Sequence, residues 1–148
     1  MIEIRRATLD DVDAIVAIGQ RAHSLSANAK YPFAEGRAKI LIASCVCRHE
    51  MCAIIASIDT KVVGFLLGHA DRYPYIDMQF ATDLAIVSEV PGAGRKLLKA
   101  FEAWAFGVVG VDQIILGAVY GGRDSTALYT RIGFKHVGGM FTKNRRSA

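Results

Sequence analysis

Only three of the 148 residues are cysteine and only three are proline. The odd cysteine count excludes the fully paired disulfide framework of small secreted domains. Cys45, Cys47 and Cys52 cluster around His49, but no second ligand pair stands further along the chain to complete a metal site. They read as reduced thiols that pack as small hydrophobes at a helix end and on the following strand, and no metal is expected. Long apolar runs are missing as well. The longest candidate, Ala103 to Val111, is bracketed by Glu102 and Asp112, far short of the roughly 18 residues that span a bilayer. Glu3, Arg5, Arg6, Asp10 and Asp11 interrupt any apolar leader. No membrane association is expected, and the cytoplasm is the expected compartment. Charge of one sign is scarce too. The 18 basic and 14 acidic residues leave a net +4, which permits an anionic ligand without requiring one.

Hydrophobic residues make up 52% of the chain and charged residues 22%, a composition that excludes a disordered chain. A chain of this length buries a core without staples, so one domain over residues 1–148 is expected.

Apolar and charged residues alternate from Ile2 to Ala7, as in a strand. Thr8 and Asp11 then resemble a capping box ahead of a helix whose face is Val12, Ile15, Val16 and Gly19. Residues His23 to Pro32 read as a loop, and Ala38, Leu41, Ile42 and Cys45 as the stripe of a second helix. Ala53 to Ile58 and Val62 to His69 form a hairpin about Asp59-Thr60-Lys61. Arg72 to Tyr75 is a loop and Asp77 to Val87 a strand. A helix with face Leu97, Leu98, Phe101, Trp104 and Ala105 follows Pro91-Gly92-Ala93-Gly94. Gln113 to Val119 reads as a strand, Arg123 to Arg131 as a short helix stopped by Gly133, and Phe134 to Val137 and Met140 to Lys143 as closing strands. The order βααβββαβαββ implies an α/β or α+β class with a mixed sheet.

The most informative segment runs from Val87 to Lys96, where a strand enters a Gly-x-Gly turn that opens a helix. Glycines permit a tight turn, and the unpaired first amides of a helix suit an anion. Arg95 and Lys96 in the first turn oppose the helix dipole, a cost that an anion at this end would offset. The dinucleotide fingerprint is excluded because Leu97 stands where its third glycine belongs, and the phosphate-loop pattern is absent.

With this segment in place the sequence resembles the GNAT superfamily of N-acetyltransferases. Glu89-Val90-Pro91-Gly92-Ala93-Gly94 with Leu97-Leu98 is similar to the family's Arg/Gln-x-x-Gly-x-Gly/Ala segment. Leu128-Tyr129-Thr130-Arg131-Ile132-Gly133-Phe134 matches its late Leu-Tyr-x-Lys/Arg-x-Gly-Phe signature. Asp59 to Phe65 is similar to its second and third strands, and Tyr31-Pro32-Phe33 to a loop of phage-encoded members. The resemblance implies a GNAT-like, mostly antiparallel sheet flanked by helices, with acetyl-CoA as co-substrate in a cleft between splayed fourth and fifth strands. It implies that backbone groups of Leu84, Ala85, Ile86 and Val87 meet the pantetheine. Gly92, Ala93, Gly94, Arg95 and Lys96 would hold the pyrophosphate, with Arg123 and Ser125 also at the cofactor. Tyr129 would protonate the departing thiolate, and an N–H near Leu84 or Ala85 would face the oxyanion. Asp83 is the implied base acting through water, with His69 and Asp71 as second candidates.

The chain departs from the pattern at Glu89, at Pro91, and at Gly122, where an asparagine is usual. The expected activity is acetyl transfer to a primary amine by direct attack on the thioester. A degenerate CoA-binding or assembly module is the alternative. A small-molecule or protein amine is the expected partner, with the segments His23 to Pro32 and Arg72 to Asp77 flanking the acceptor side and Tyr31, Phe33, Tyr73 and Tyr75 lining it. The apolar content is compatible with a homodimer. The basic residues Lys135, Lys143, Arg145 and Arg146 lack a nucleic-acid motif, and nucleic acid is not the expected partner.

Overall fold

The computed structural model describes residues 1–117, 119–120 and 123–145. Strand β1 (Glu3–Arg6) is tied to the first helix by a charge cluster at its end. The Arg5 guanidinium forks onto Asp11 at 2.8 and 2.9 Å, and Asp11 Oδ2 also accepts the Thr8 N–H at 2.7 Å. Arg5 first, with Thr8, holds the Asp11 carboxyl below its ordinary range. A 3₁₀ turn, Leu9–Asp11, leads into α1 (Val12–Ser24), which buries Ile15, Val16 and Ile18. This helix continues past His23, so the expected loop starts later, after Ser24. Helix α2 (Glu35–Cys47) buries Ile42 and Cys45, whereas Leu41 of the expected stripe is 38% exposed.

β2 (Met51–Ile58) and β3 (Lys61–Arg72) form the expected hairpin. Its turn is two residues, Asp59 and Thr60, with φ of 47° and 70°, a left-handed turn that matches strand twist and releases Lys61 to start β3. Strand β4 (Gln79–Ser88) and the short β5 (Gln113–Ile115) complete a sheet of order β1-β2-β3-β4-β5. All pairings are antiparallel except β4–β5.

Strand alternation divides the core between the two faces of the sheet. Cys52, Ile54, Ala56 and Leu66 pack with α3 (Ala93–Glu102), the π-helical continuation Ala103–Val109 and Tyr129 of α4 (Thr126–Arg131). Ala53, Ile55, Phe65 and Leu67 pack with α1 and α2 on the other face. A sheet covered on both sides reads as continuous apolar runs rather than alternation, as in β2 and β3. Leu97, Leu98, Phe101, Trp104 and Ala105 are all buried, as expected for one helix face. The helix widens after Glu102, where the Gly110 and Val111 N–H groups both reach Ala105 O at 2.9 Å.

Two irregularities in the sheet shape the molecule. First, β3 and β4 lose register: Leu67 faces Ala85, but Gly68 faces Asp83, so Leu84 is an extra residue. Leu84, Ala85 and Val87 consequently pack toward α1 and α2, while Ala81 and Ile86 pack toward α3. Second, β5 pairs only with Phe80 to Thr82, and β4 runs on to Ser88 without it. The two strands part at Asp83.

The order βααβββαβ holds through β5, and the last third differs from expectation. The strand expected over Gln113 to Val119 stops at Ile115, and β6 (Val119–Tyr120) folds back on β7 (Arg123–Asp124). Arg123 and Asp124 are therefore strand rather than the start of the helix, which begins at Thr126. Gly133, at φ +100°, ends α4 as expected. Beyond it Phe134 to Val137 and Met140 to Lys143 do not form the expected strands. Two four-residue segments broken by Gly138-Gly139 need a partner strand to persist, and Val137, Met140 and Phe141 are 87%, 76% and 99% exposed. Among the described residues no helix is long and apolar enough to cross a membrane.

Candidate functional site

The parting of β4 and β5 opens a cleft of about 570 Å³ floored by Ile86 and Ser88, with the glycine turn at one end and Tyr129 of α4 in its wall. The Glu89 N–H donates to Val63 O at 2.9 Å. By strand alternation the backbone groups of Val87 and Ala85 also face β3, and those of Ile86 and Ser88 face the cleft. The four strand residues expected at a cofactor are thus divided. Ile86 lines this cleft, Ala85 and Val87 turn their backbone to β3, and Leu84 sits at the bulge and lines a different cavity.

At the turn, Gly92 takes φ +86°, a left-handed conformation that costs a residue with a Cβ. The Ala93 N–H reaches Val90 O at 3.4 Å, and the first helical bond of α3 joins Lys96 N–H to Gly92 O at 3.4 Å. The amides of Gly94 and Arg95 lie between them at the positive end of the helix. A Cβ added to Gly94 would meet only Ser88 Cβ, at 3.8 Å. The chain's own packing does not require glycine there.

The cations at this end are not all the expected ones. Arg95 lines the cleft, but Lys96 sends its ammonium to Ile2 O at 3.2 Å and does not line it. Arg131, from the Tyr129 helix, lines it instead. Arg123 lies in β7, and Gly122 and Arg146 fall outside the described residues. Glu89, whose charge opposes an anion, is held by a residue that sequence reasoning missed. Arg21, from the last turn of α1, donates through Nε and Nη2 to the two Glu89 oxygens at 2.8 and 2.9 Å. That fork is the main reason the Glu89 carboxyl lies below its ordinary range. Nothing in the local sequence announces a pair 68 positions apart.

Tyr129 is 7% exposed and packs its ring against Phe134 at 6.0 Å. Burial, and then the nearby Asp83 charge, push its phenol above the ordinary value, against a hydrogen bond with Ser125. Burial likewise raises the Asp83 carboxyl, which accepts its own N–H and that of Gly117. The fold therefore pairs Tyr129 with Ser125 in the cleft and leaves the Asp83 charge, at the point where the strands part, close enough to act on the phenol. A carboxylate with raised pKa and a phenol that keeps its proton are a matched base and acid.

His69 and Asp71 stand elsewhere. With Arg48, Glu50, Met51 and Leu84 they line a cavity of about 470 Å³ on the α2 side of the sheet. Arg48 Nε pairs with Glu50 at 2.7 Å, and His69 Nδ1 is buried without a hydrogen-bond partner among the described residues. Leu84 connects this cavity to the bulge. Tyr31, Phe33, Tyr73 and Tyr75 line neither cavity. Tyr73 instead packs its ring, tilted, against Phe80 at 4.7 Å and donates to Gln113 Oε1, while Tyr31 O contacts His23 Nε2 and Phe33 packs on the His23 ring. Cys45 and Cys52 are buried on opposite faces, their thiols pushed up to about 11 and about 12 by burial, and Cys47 is exposed. Among the described residues no group of three or more His, Cys, Asp or Glu is placed to hold a metal.

Known structures repeat this architecture. A ribosomal-protein-alanine N-acetyltransferase from Brucella melitensis biovar Abortus 2308 superposes with a TM-score of 0.73 at 16% identity, covering 97% of this chain and 99% of the other. An aminoglycoside acetyltransferase from an uncultured soil metagenomic sample, solved in complex with sisomicin, gives 0.67 at 14% identity, with 97% of each chain covered. At such identities the likeness concerns the fold alone. The search of curated proteins finds no match. Residues 20–134 match the family described as Acetyltransferase (GNAT) family, and with that match spanning the hairpin, the glycine turn and Tyr129, the chain belongs to the GNAT acetyltransferases.

Proposed function

We propose that the protein is an acetyl-CoA-dependent N-acetyltransferase that moves the acetyl group to a primary amine by direct attack on the thioester. The observation that carries this reading is the cleft opened where β4 and β5 part, which the glycine turn and Tyr129 line together. The Gly94 and Arg95 amides, with Arg95 and Arg131, bind the pyrophosphate, and the Ile86 and Ser88 backbone lies along the pantetheine. Asp83 takes the amine proton through water as the amine adds to the carbonyl. Tyr129 gives its proton to the departing thiolate, and burial keeps that proton in place until then. The acceptor is a small-molecule or protein amine.

Calorimetry with acetyl-CoA, followed by thiol release in the presence of an amine panel, tests the reading. Binding in the micromolar range with thiol release is expected. No binding at millimolar acetyl-CoA refutes it, and tight binding without transfer to any amine points to a CoA-binding module instead.

A further inference from the structure

The cleft contains a charge that does not belong at an anion site. Glu89 opens the glycine turn and lines the cleft beside Arg95. Its carboxylate would oppose a pyrophosphate, yet both its oxygens are taken by the Arg21 fork at 2.8 and 2.9 Å. Arg21 comes from the last turn of α1, which packs on the face of the sheet opposite α3. Its side chain is 55% exposed and that of Glu89 33%, so the pair contributes little to folding. Its position at the rim of the anion site is what gives it a consequence.

Resting on the reading of the cleft as a CoA site, we infer that Arg21 is a positioning residue for the cofactor: by neutralising Glu89 it makes the glycine turn competent to accept the pyrophosphate. Arg21 replaces by distant contact the cation that the turn's own first position lacks. The planar fork suits this role because it holds the carboxylate by both oxygens and fixes its direction. A bare carboxylate at the rim of a half-wet cleft weakens binding of a nearby anion by about tenfold.

The test is a set of CoA titrations by calorimetry at low salt with wild type, Arg21→Ala, Glu89→Gln and Arg21→Ala/Glu89→Gln, each checked by thermal melting. Arg21→Ala should weaken CoA binding about tenfold with a melting temperature close to that of wild type. Glu89→Gln should bind at least as tightly as wild type, and the double variant should return to within about twofold of it, because removing the carboxylate removes the need for Arg21. High salt should shrink the Arg21→Ala defect. Wild-type affinity in Arg21→Ala overturns the inference, as does a double variant as weak as Arg21→Ala, which would mean that the guanidinium meets the cofactor itself. Failure of wild type to bind CoA at millimolar concentration instead overturns the reading of the cleft, and the inference with it.

Discussion

Replacing Tyr129 by phenylalanine isolates one oxygen. The ring stays, so its packing against Phe134 at 6.0 Å and its place in the α3-side core are kept. What is lost is the hydroxyl, its hydrogen bond with Ser125 and its proximity to Asp83. A buried side-chain hydrogen bond contributes about 1 kcal/mol, which in a domain of this size lowers the melting temperature by about 2–4 °C. The variant therefore folds. The cost to chemistry is larger: a positioned proton donor supplies about 10²-fold at the lower end of its range, or about 2.7 kcal/mol of barrier. The expected result is a kcat about 100-fold below wild type with KM for acetyl-CoA little changed, read by thiol release under saturating substrates. A Tyr129→Phe variant whose kcat stays within about threefold of wild type would remove the phenol from the reaction. Tyr129→Ala cannot make this test, since deleting a buried aromatic ring costs about 3–5 kcal/mol by itself.

Asp83→Asn should cut kcat/KM about 100-fold and raise the melting temperature at pH 7. Burial lifts the folded carboxyl above its unfolded value, so the folded state binds the proton more tightly, and stability falls as pH rises through that window. The acid limb of the wild-type pH–rate profile should accordingly lie above about 3.9, the ordinary carboxylate value; a limb at or below it would deny Asp83 the role of base. Gly92→Ala, forced to φ +86°, should cost about 1–2 kcal/mol and several degrees of melting temperature. Gly94→Ala, with its nearest neighbour at 3.8 Å, should melt like wild type yet bind CoA about tenfold more weakly by calorimetry. Gly68→Ala would place a Cβ 2.5 Å from Phe101 Cε2, costing about 1–3 kcal/mol by denaturant titration. Phe101→Leu in that background should cost less than it does in wild type.

The elements that the sequence announces are those whose periodicity coincides with burial. The middle of the β2–β3 hairpin and the α3 stripe from Leu97 to Ala105 are covered by neighbours, so their apolar pattern has one meaning. The closing segments at Phe134 and Met140 have the same local pattern, yet beyond Phe134 the residues Val137, Met140 and Phe141 are exposed, and alternation alone cannot supply a partner strand. That the glycine turn and Tyr129 line one cleft could be anticipated from their residue types, which serve a local geometry. Arg21 could not be, because its value arises only when α1 is laid beside the turn. Lys96 misleads for a related reason. A cation in the right sequence window can leave the cleft when a carbonyl such as Ile2 O lies within reach of its flexible stem. The proximity of Asp83 to Tyr129 depends on the irregularity at Leu84, which is a property of the pairing and has no signature in residue type.

That irregularity makes the proposed chemistry depend on parity. Asp83 stands on the Tyr129 side of the sheet, while Ala85 and Val87, an even number of positions later, belong to the opposite side. An uninterrupted strand would have to place all three together, so it could present either the acid to Tyr129 or Val87 to the α1–α2 core, never both. Position 84 thus resembles a spacer whose existence matters more than its identity. Exchange of Leu84 for another apolar residue leaves the count intact. Its deletion would shift the count by one and turn half of β4 inside out.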